Sequence, residues 1–338
     1  NDVLQCLLGP LITSIGKTFS QIPGLRTVTA DSLAKGGSVD EAIFGSVNVL
    51  EVDYTAWDST VSKFDLELTH YIYRRLYPAH PNLARILSYH STSVWSYRNG
   101  CRYTLTGTRV SGDSDTTVGN SILHWIYCHI LLEGLYREWD IAMHFEVAGD
   151  DGVIGCPVER VALDVLVECG KVVKSIYRVD PNFTQFCSGV VLPIQIDGHV
   201  RSRLYRLPGR SVGRIGFAPD SIPRRAAYYV LEQRALAEMY ACAGVPINHT
   251  LARSVHSFAT KLATDHWKSD RDVQRRLRLE QTVPMVQEVC PLTRARFAHV
   301  FGITPSIQRE VERDVAHQVL HRGMVHNAVL NYLADNCS

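Results

Sequence analysis

Apolar side chains alternate and then run almost without a break through Val47-Asn48-Val49-Leu50-Glu51-Val52 and stop at Asp53, the pattern of a largely buried strand. Asp58-Ser59-Thr60 then offers a polar start for a helix that runs to about Tyr77, where Pro78 and Pro81 stop it. Tyr103 to Thr106 reads as a strand entering the loop Gly107 to Asp113, and a long amphipathic helix follows. Its apolar face carries Ile122, Leu123, Ile126, Ile130 and Leu131, with Asp113 or Ser114 as the expected cap. His144 to Ala148 and Val153 to Gly155 predict two short strands around the turn Gly149-Asp150-Asp151-Gly152. Glu159 to Cys169 predicts a helix closed by Gly170, Lys171 to Tyr177 an extended segment, and Phe186 to His199 hairpin structure. From Pro219 the pattern is mainly helical, whereas residues 1–46 read as short mixed pieces broken by Gly9-Pro10, Gly16 and Gly36-Gly37. Strands and helices in this order predict an antiparallel sheet backed by helices, an α+β fold.

Composition narrows the class only slightly. A chain of 338 residues with 46% hydrophobic and 20% charged residues is long enough for a sizeable core and about two lobes. The net charge of +1 argues against coating nucleic acid by bulk charge, but 35 basic and 34 acidic residues can be sorted locally into a basic channel. Nine scattered cysteines contain no Cys-x-x-Cys pair and fit reduced thiols better than a disulfide framework or zinc ribbon. The opening Val3-Leu4-Gln5-Cys6-Leu7-Leu8 reads as the interior of a longer polypeptide.

The chemistry lies in three fragments within about a hundred residues: Asp53-x4-Asp58, Ser111-Gly112-x3-Thr116-x3-Asn120, and Gly149-Asp150-Asp151. Clustered carboxylates repel one another and gain from a bound cation. Two-metal phosphoryl transfer needs such groups from separate segments around ions roughly 3.5–4 Å apart. Thr116 and Asn120 share a face of the first helical turns, and Gly112 lets the loop before them approach a ligand closely. His124 and Cys128 share a face of the same helix and read as packing.

In this order the fragments resemble motifs A, B and C of viral RNA-dependent RNA polymerases. Gly107-Thr108-Arg109-x-Ser111-Gly112-Asp113 and Phe186-Cys187-Ser188 are most similar to positive-strand viruses of the noda- and tombus-like kind. The resemblance, over about residues 45–205, implies a right-hand fold: a fingers remnant (1–46), a palm (47–205, with a fingers insertion at about 78–106) and a helical thumb (206–338). It implies Asp53, Asp150 and Asp151 as ligands of two Mg2+ or Mn2+ ions, and Asp58 and Asn120 as readers of the ribose 2′-hydroxyl supported by Thr116. Ser111 and Gly112 would form a loop on template and nucleotide. Lys174, favoured over Lys171, would protonate pyrophosphate, and Phe186, Cys187 and Ser188 would position the growing strand.

The implied partners are template and product RNA, ribonucleoside triphosphates, an N-terminal replicase region supplying the basic motif F, and a membrane-associated replication complex in the host cytoplasm. Arg201, Arg203, Arg206, Arg210 and Arg214 either line an RNA or triphosphate path or lie solvated on the surface. A reverse transcriptase is disfavoured, because Ala148 precedes the acidic turn and Asp58 stands where an aromatic gate would be. A non-catalytic palm-like RNA-binding subunit is the other alternative, and every metal and ribose position is intact.

Overall fold

The computed structural model describes residues 2–25, 31–96, 100–139, 144–156, 163–215, 222–263, 271–280, 288–322 and 327–337. The start of the helix expected at Glu159 and Pro219 lie outside them. The chain divides into two compact units, residues 1–30 with 41–181 and residues 31–40 with 182–338.

The first unit opens with α1 (Asp2–Phe19), a continuous helix where short pieces were expected. Pro10 lies inside it and lacks an N–H for the helical ladder. Burial of Leu8, Ile12 and Ile15 at 1–2% exposure outweighs that loss. The helix α2 (Ser32–Ile43), most of which groups with the second unit, precedes β1 (Asn48–Tyr54), after which come α3 (Trp57–Thr60), α4 (Lys63–Leu76) and α5 (Leu83–His90). The exposed hairpin β2 (Thr92–Ser96) and β3 (Arg102–Thr106) precedes α6 (Thr116–Trp139). Then follow β4 (His144–Ala148), β5 (Asp151–Cys156), α7 (Asp164–Glu168) and β6 (Val173–Arg178). The sheet has the order β4-β5-β1-β6, and all its pairs are antiparallel.

Strand β1 occupies the interior of this sheet, which is why its apolar run is nearly unbroken. Its one charged core position, Glu51, takes a two-pronged contact from Arg178 at 2.8 and 3.1 Å. Leu50, Ile154, Val147 and Ile122, Leu123 of α6 join one core. Ile130, expected on the apolar face of α6, is 45% exposed.

The helix expected from Asp58 is two helices. Ser62, not Asp58, caps α4: its hydroxyl accepts from Asp65 N–H at 3.2 Å, and the Asp65 carboxylate accepts from Ser62 N–H at 2.8 Å. A reciprocal box satisfies two helix-end donors and so outcompetes a single carboxylate four residues earlier. Asp58 is thereby released to another task.

The second unit contains β7 (Gln185–Phe186), β8 (Gly189–Ile196) and β9 (His199–Arg206) as an antiparallel sheet. Helices α8 (Pro208–Ile215), α9 (Arg224–Ala241), α10 (Asn248–Leu262), α11 (Arg271–Glu280), α12 (Pro291–Phe301), α13 (Pro305–Arg322) and α14 (Ala328–Asn336) follow. Asp197 and Gly198 both have positive φ, as a two-residue hairpin turn of mirror-image type demands. Cys187 and Ser188 form a second such turn with φ of 50° and 56° and no glycine between the paired residues Phe186 and Gly189. Val190, Leu192, Ile194, Phe297 and Val315 form the core of this unit. Among the described residues no helix is long and apolar enough to cross a membrane.

Candidate active site

Strand β1 delivers Asp53 to the end of the first sheet, exposed, with its carboxylate held by the N–H of Tyr54 at 2.8 Å. The register pairs Val52 with Gly152, so Asp53 lies beside the turn that carries Asp150. Burial raises the Asp150 carboxyl pKa, and the charges of Asp53 and Asp58 raise it further. The expected convergence of these carboxylates is therefore present. Asp151 opens β5 opposite Ala148. Lys174 of β6 pairs directly with Asp53. Residues opposite one another in an antiparallel pair share a face, so this exposed lysine lies on the carboxylate side of the sheet.

Lys171, the rival for that role, is occupied elsewhere. It is 1% exposed, its ammonium donates to Asp65 at 3.1 Å and to the Thr60 carbonyl at 3.0 Å, and it lies 4.8 Å from the Trp57 ring centroid. It ties the segment leading into β6 to α3 and α4 and leaves Lys174 as the lysine free of that pairing.

Ala56, in the left-handed conformation (φ 52°, ψ 49°), turns the chain from β1 into α3 and places Asp58 in its first turn. There Asp58 accepts from Asn120 Nδ2 at 2.7 Å and from the Ser111 hydroxyl. Asn120 Oδ1 is buried and has no hydrogen-bond partner. The Thr116 hydroxyl donates to the Val110 carbonyl at 3.0 Å, pinning the loop that holds Ser111 and Gly112, the latter at φ 90°.

That loop rests on a buried ionic network. Asp115, not Asp113 or Ser114, directly precedes α6. Its carboxylate faces the Arg109 guanidinium in a close ion pair, His90 Nε2 at 2.9 Å and the Tyr73 hydroxyl at 3.3 Å. His90 Nδ1 meets His70 Nε2 at 3.0 Å. Burial alone would lower the His90 pKa, but Asp113 and Asp115 outweigh it and push it up to about 9. Burial and the neighbouring His90 push His70 down to about 4, which suits a neutral acceptor beside a charged donor. Asp115 is buried, yet Arg109 and His90 hold its carboxyl well below the usual carboxylate range.

Two positions on α6 support the acidic turn and carry no chemical signature in sequence. Ser121 Oγ accepts from the Gly149 N–H at 2.7 Å, and His124 Nδ1 lies 3.3 Å from the Gly149 carbonyl. Burial pushes the His124 pKa down to about 3, so the ring is neutral. A Cβ at Gly152 would lie 2.6 Å from the His124 ring, which explains the glycine after the two aspartates. His124 and Cys128 both pack, as expected: His124 against the acidic turn and Cys128 in the core.

Phe186, Cys187 and Ser188 lie in the second unit, at the β7–β8 turn, where Ser188 Oγ accepts from Arg210 at 2.7 Å. Arg203 fits neither expected reading. It is 0% exposed and bonds Ser32 Oγ at 2.7 Å and the carbonyls of Tyr240 and Ala243 at 2.6 and 3.3 Å, a structural strut. Arg206 pairs with Glu238 at 3.3 Å, while Arg201 and Arg214 are exposed.

Among the described residues no three His, Cys, Asp or Glu side chains are grouped so as to hold a metal ion. The carboxylates instead present an open, mutually repelling set. That suits Mg2+, which is typically held by one or two carboxylates and leaves its other positions to water and substrate phosphates.

Residues 49–322 match the family described as viral RNA dependent RNA polymerase, and the chain belongs to it. The match extends beyond the motif-bearing stretch well into the second unit. The chain is also similar to the genome polyprotein of classical swine fever virus (strain Alfort/Tuebingen), at 28% identity over 183 residues. That alignment covers 48% of this chain and 5% of the polyprotein, so the chain spans a small fraction of this relative.

Ser121→Ala leaves the Gly149 N–H buried without a partner and is expected to cost about 1–3 kcal/mol in urea denaturation. The histidine network predicts a pH dependence. A pKa raised from 6.5 to about 9 gives stability that is complete below pH 6.5 and disappears as pH rises through about 9. Unfolding free energy should fall by on the order of 2–3 kcal/mol across that window, and His90→Gln should remove this slope.

Proposed function

We propose that this chain catalyses RNA-templated RNA synthesis, joining ribonucleotides with release of pyrophosphate. The observation that carries it is the meeting of Asp53, Asp150 and the Asp58–Asn120–Ser111 cluster at one end of the sheet. Asp53 and Asp150, assisted by Asp151, would hold two Mg2+ or Mn2+ ions. Such ions, when bound, activate the attacking 3′-oxygen and offset charge on the departing pyrophosphate. The Asp150 carboxyl, raised by burial and by its acidic neighbours, gains most from a cation that returns it to the charged form.

Asp58 and Asn120 would select the sugar. Asn120 directs its amide N–H to Asp58 and keeps an unpaired buried oxygen, an acceptor suited to a ribose hydroxyl. Ser111 holds the other oxygen of Asp58 and couples sugar reading to the loop that would touch template and nucleotide. Lys174, on the carboxylate side, would donate a proton to pyrophosphate. Phe186, Cys187 and Ser188 would position the growing strand.

The proposed domains are a fingers remnant at 1–46, a palm at 47–205 with its insertion at 78–106, and a thumb at 206–338. The compact units divide earlier, at 181/182, so the hairpins of 185–206 pack with the helices that follow them. An upstream replicase region would supply the basic grip on the triphosphate, and the assembled enzyme would work in a membrane-associated complex in the host cytoplasm.

Asp150→Asn in the complete replicase should lower Mg2+-dependent ribonucleotide incorporation by on the order of 10²-fold or more, measured in a primer-extension assay. Incorporation at the wild-type rate would sink the metal-site assignment. Asp58→Ala should reduce the preference for ribo- over deoxyribonucleotides by about tenfold or more in single-turnover competition. An unaltered ratio removes the sugar-reading role.

A further inference from the structure

Asp58 stands on α3, a helix of one turn that follows the left-handed Ala56 and has no side-chain cap. A four-residue helix cannot hold its position by backbone bonds alone, so it is anchored from outside. The anchor is Trp57, the buried residue of that helix. The acidic turn depends on its surroundings in the same way, because it is built on Gly149 at φ 70°. The Gly149 carbonyl meets His124 Nδ1 at 3.3 Å, and a carbonyl only accepts, so Nδ1 carries the proton.

These two anchors touch each other. The ring centroids of Trp57 and His124 lie 5.4 Å apart, and Tyr54 packs edge-on against both, at 4.4 and 5.0 Å. Tyr54 directly follows Asp53. Three buried rings thus join the segments that carry Asp53, Asp58 and Asp150. Trp57 is held in turn by the Lys171 ammonium, 4.8 Å from its ring, and by Tyr127 at 6.2 Å. Among the described residues, Tyr54 Oη, Trp57 Nε1 and His124 Nε2 are buried without a hydrogen-bond partner. A core shaped for stability alone avoids three such atoms in one cluster.

We propose that Tyr54, Trp57 and His124 are positioning residues that act as one unit and set the separation of the Asp58 helix from the Asp150 turn. The proposal rests on the reading of Asp53 and Asp150 as metal ligands. Its consequence is that metal affinity depends on Trp57, although an indole N–H is a donor only and cannot ligate a cation. Sugar reading and metal loading then share one mechanical support.

The test is Mn2+ binding to the whole chain, read at equilibrium from the EPR signal of the free ion, with the urea midpoint of each variant measured alongside. His124→Phe keeps a ring but cannot donate to the Gly149 carbonyl. Trp57→Leu keeps that bond but removes the ring behind it. Each is expected to weaken Mn2+ binding by about tenfold, the usual effect of losing a group that orients a metal ligand, and Trp57→Phe to restore most of the affinity. Ile12→Ala, which opens a cavity under α1 in the same unit, should lower the urea midpoint and leave Mn2+ binding as in the wild type. Wild-type affinity in His124→Phe or in Trp57→Leu overturns the proposal. So does an equal loss in Ile12→Ala, which would mark general loosening. Should Trp57→Leu fail to fold, His124→Asn carries the comparison, because its amide replaces the Nδ1 donor. It should bind Mn2+ at least about threefold more tightly than His124→Phe, and equal affinities overturn the proposal. Asp150→Asn separates the two readings. If it binds Mn2+ as the wild type does, the metal-site assignment fails and the proposal with it; if it loses binding while the ring variants do not, only the positioning role fails.

Discussion

Antiparallel pairing of β1 with β5 presses like charges together, and the rest of the first unit is organised around that cost. Asp53 stands near the end of β1 and Asp150 in the turn before β5, and burial of Asp150 sharpens their repulsion. The β1 register fixes the face on which Asp53 stands, because a shift of one residue would send every β1 side chain to the opposite face. A retained proton on Asp150 or a counter-charge nearby would ease that repulsion.

Around this pair the protein builds rigidity from groups with no part in the chemistry. Lys171 braces α3 and α4 from the segment before β6, Arg109 and His90 brace the motif loop through Asp115, and Ser121 and His124 brace the acidic turn. Each brace is charged or hydrogen-bonded in a dry setting, where directional contacts fix geometry more sharply than apolar packing. The site is therefore set by polar contacts as much as by the core beneath it.

Much of this was legible in the chain. The apolar run into Asp53, the paired strands around Gly149-Asp150-Asp151 and the helix after Thr116 occur as read, because local patterning and tertiary burial agree there. The pairing of Asn120 with Asp58 follows from that order. Several features were not legible. Helix α1 continues past Pro10 because the core overrides a local penalty, and Ser62 displaces Asp58 as a cap because a reciprocal box needs its partner three residues on. Lys171 precedes β6 whereas Lys174 lies within it, and only the β1 register shows that Lys174 stands opposite Asp53. The duties of Ser121 and His124 depend on contacts 28 and 25 positions away, beyond any local pattern.

The turn at Cys187 and Ser188 has a consequence for how this chain has been shaped. A two-residue hairpin in which both positions are left-handed is best served by asparagine and glycine. Cysteine and serine there forgo roughly 1–2 kcal/mol per residue of backbone comfort. A sequence tuned for folding alone would have relaxed the tip. What survives at that bend is a thiol and a hydroxyl, functional groups that a glycine could not provide.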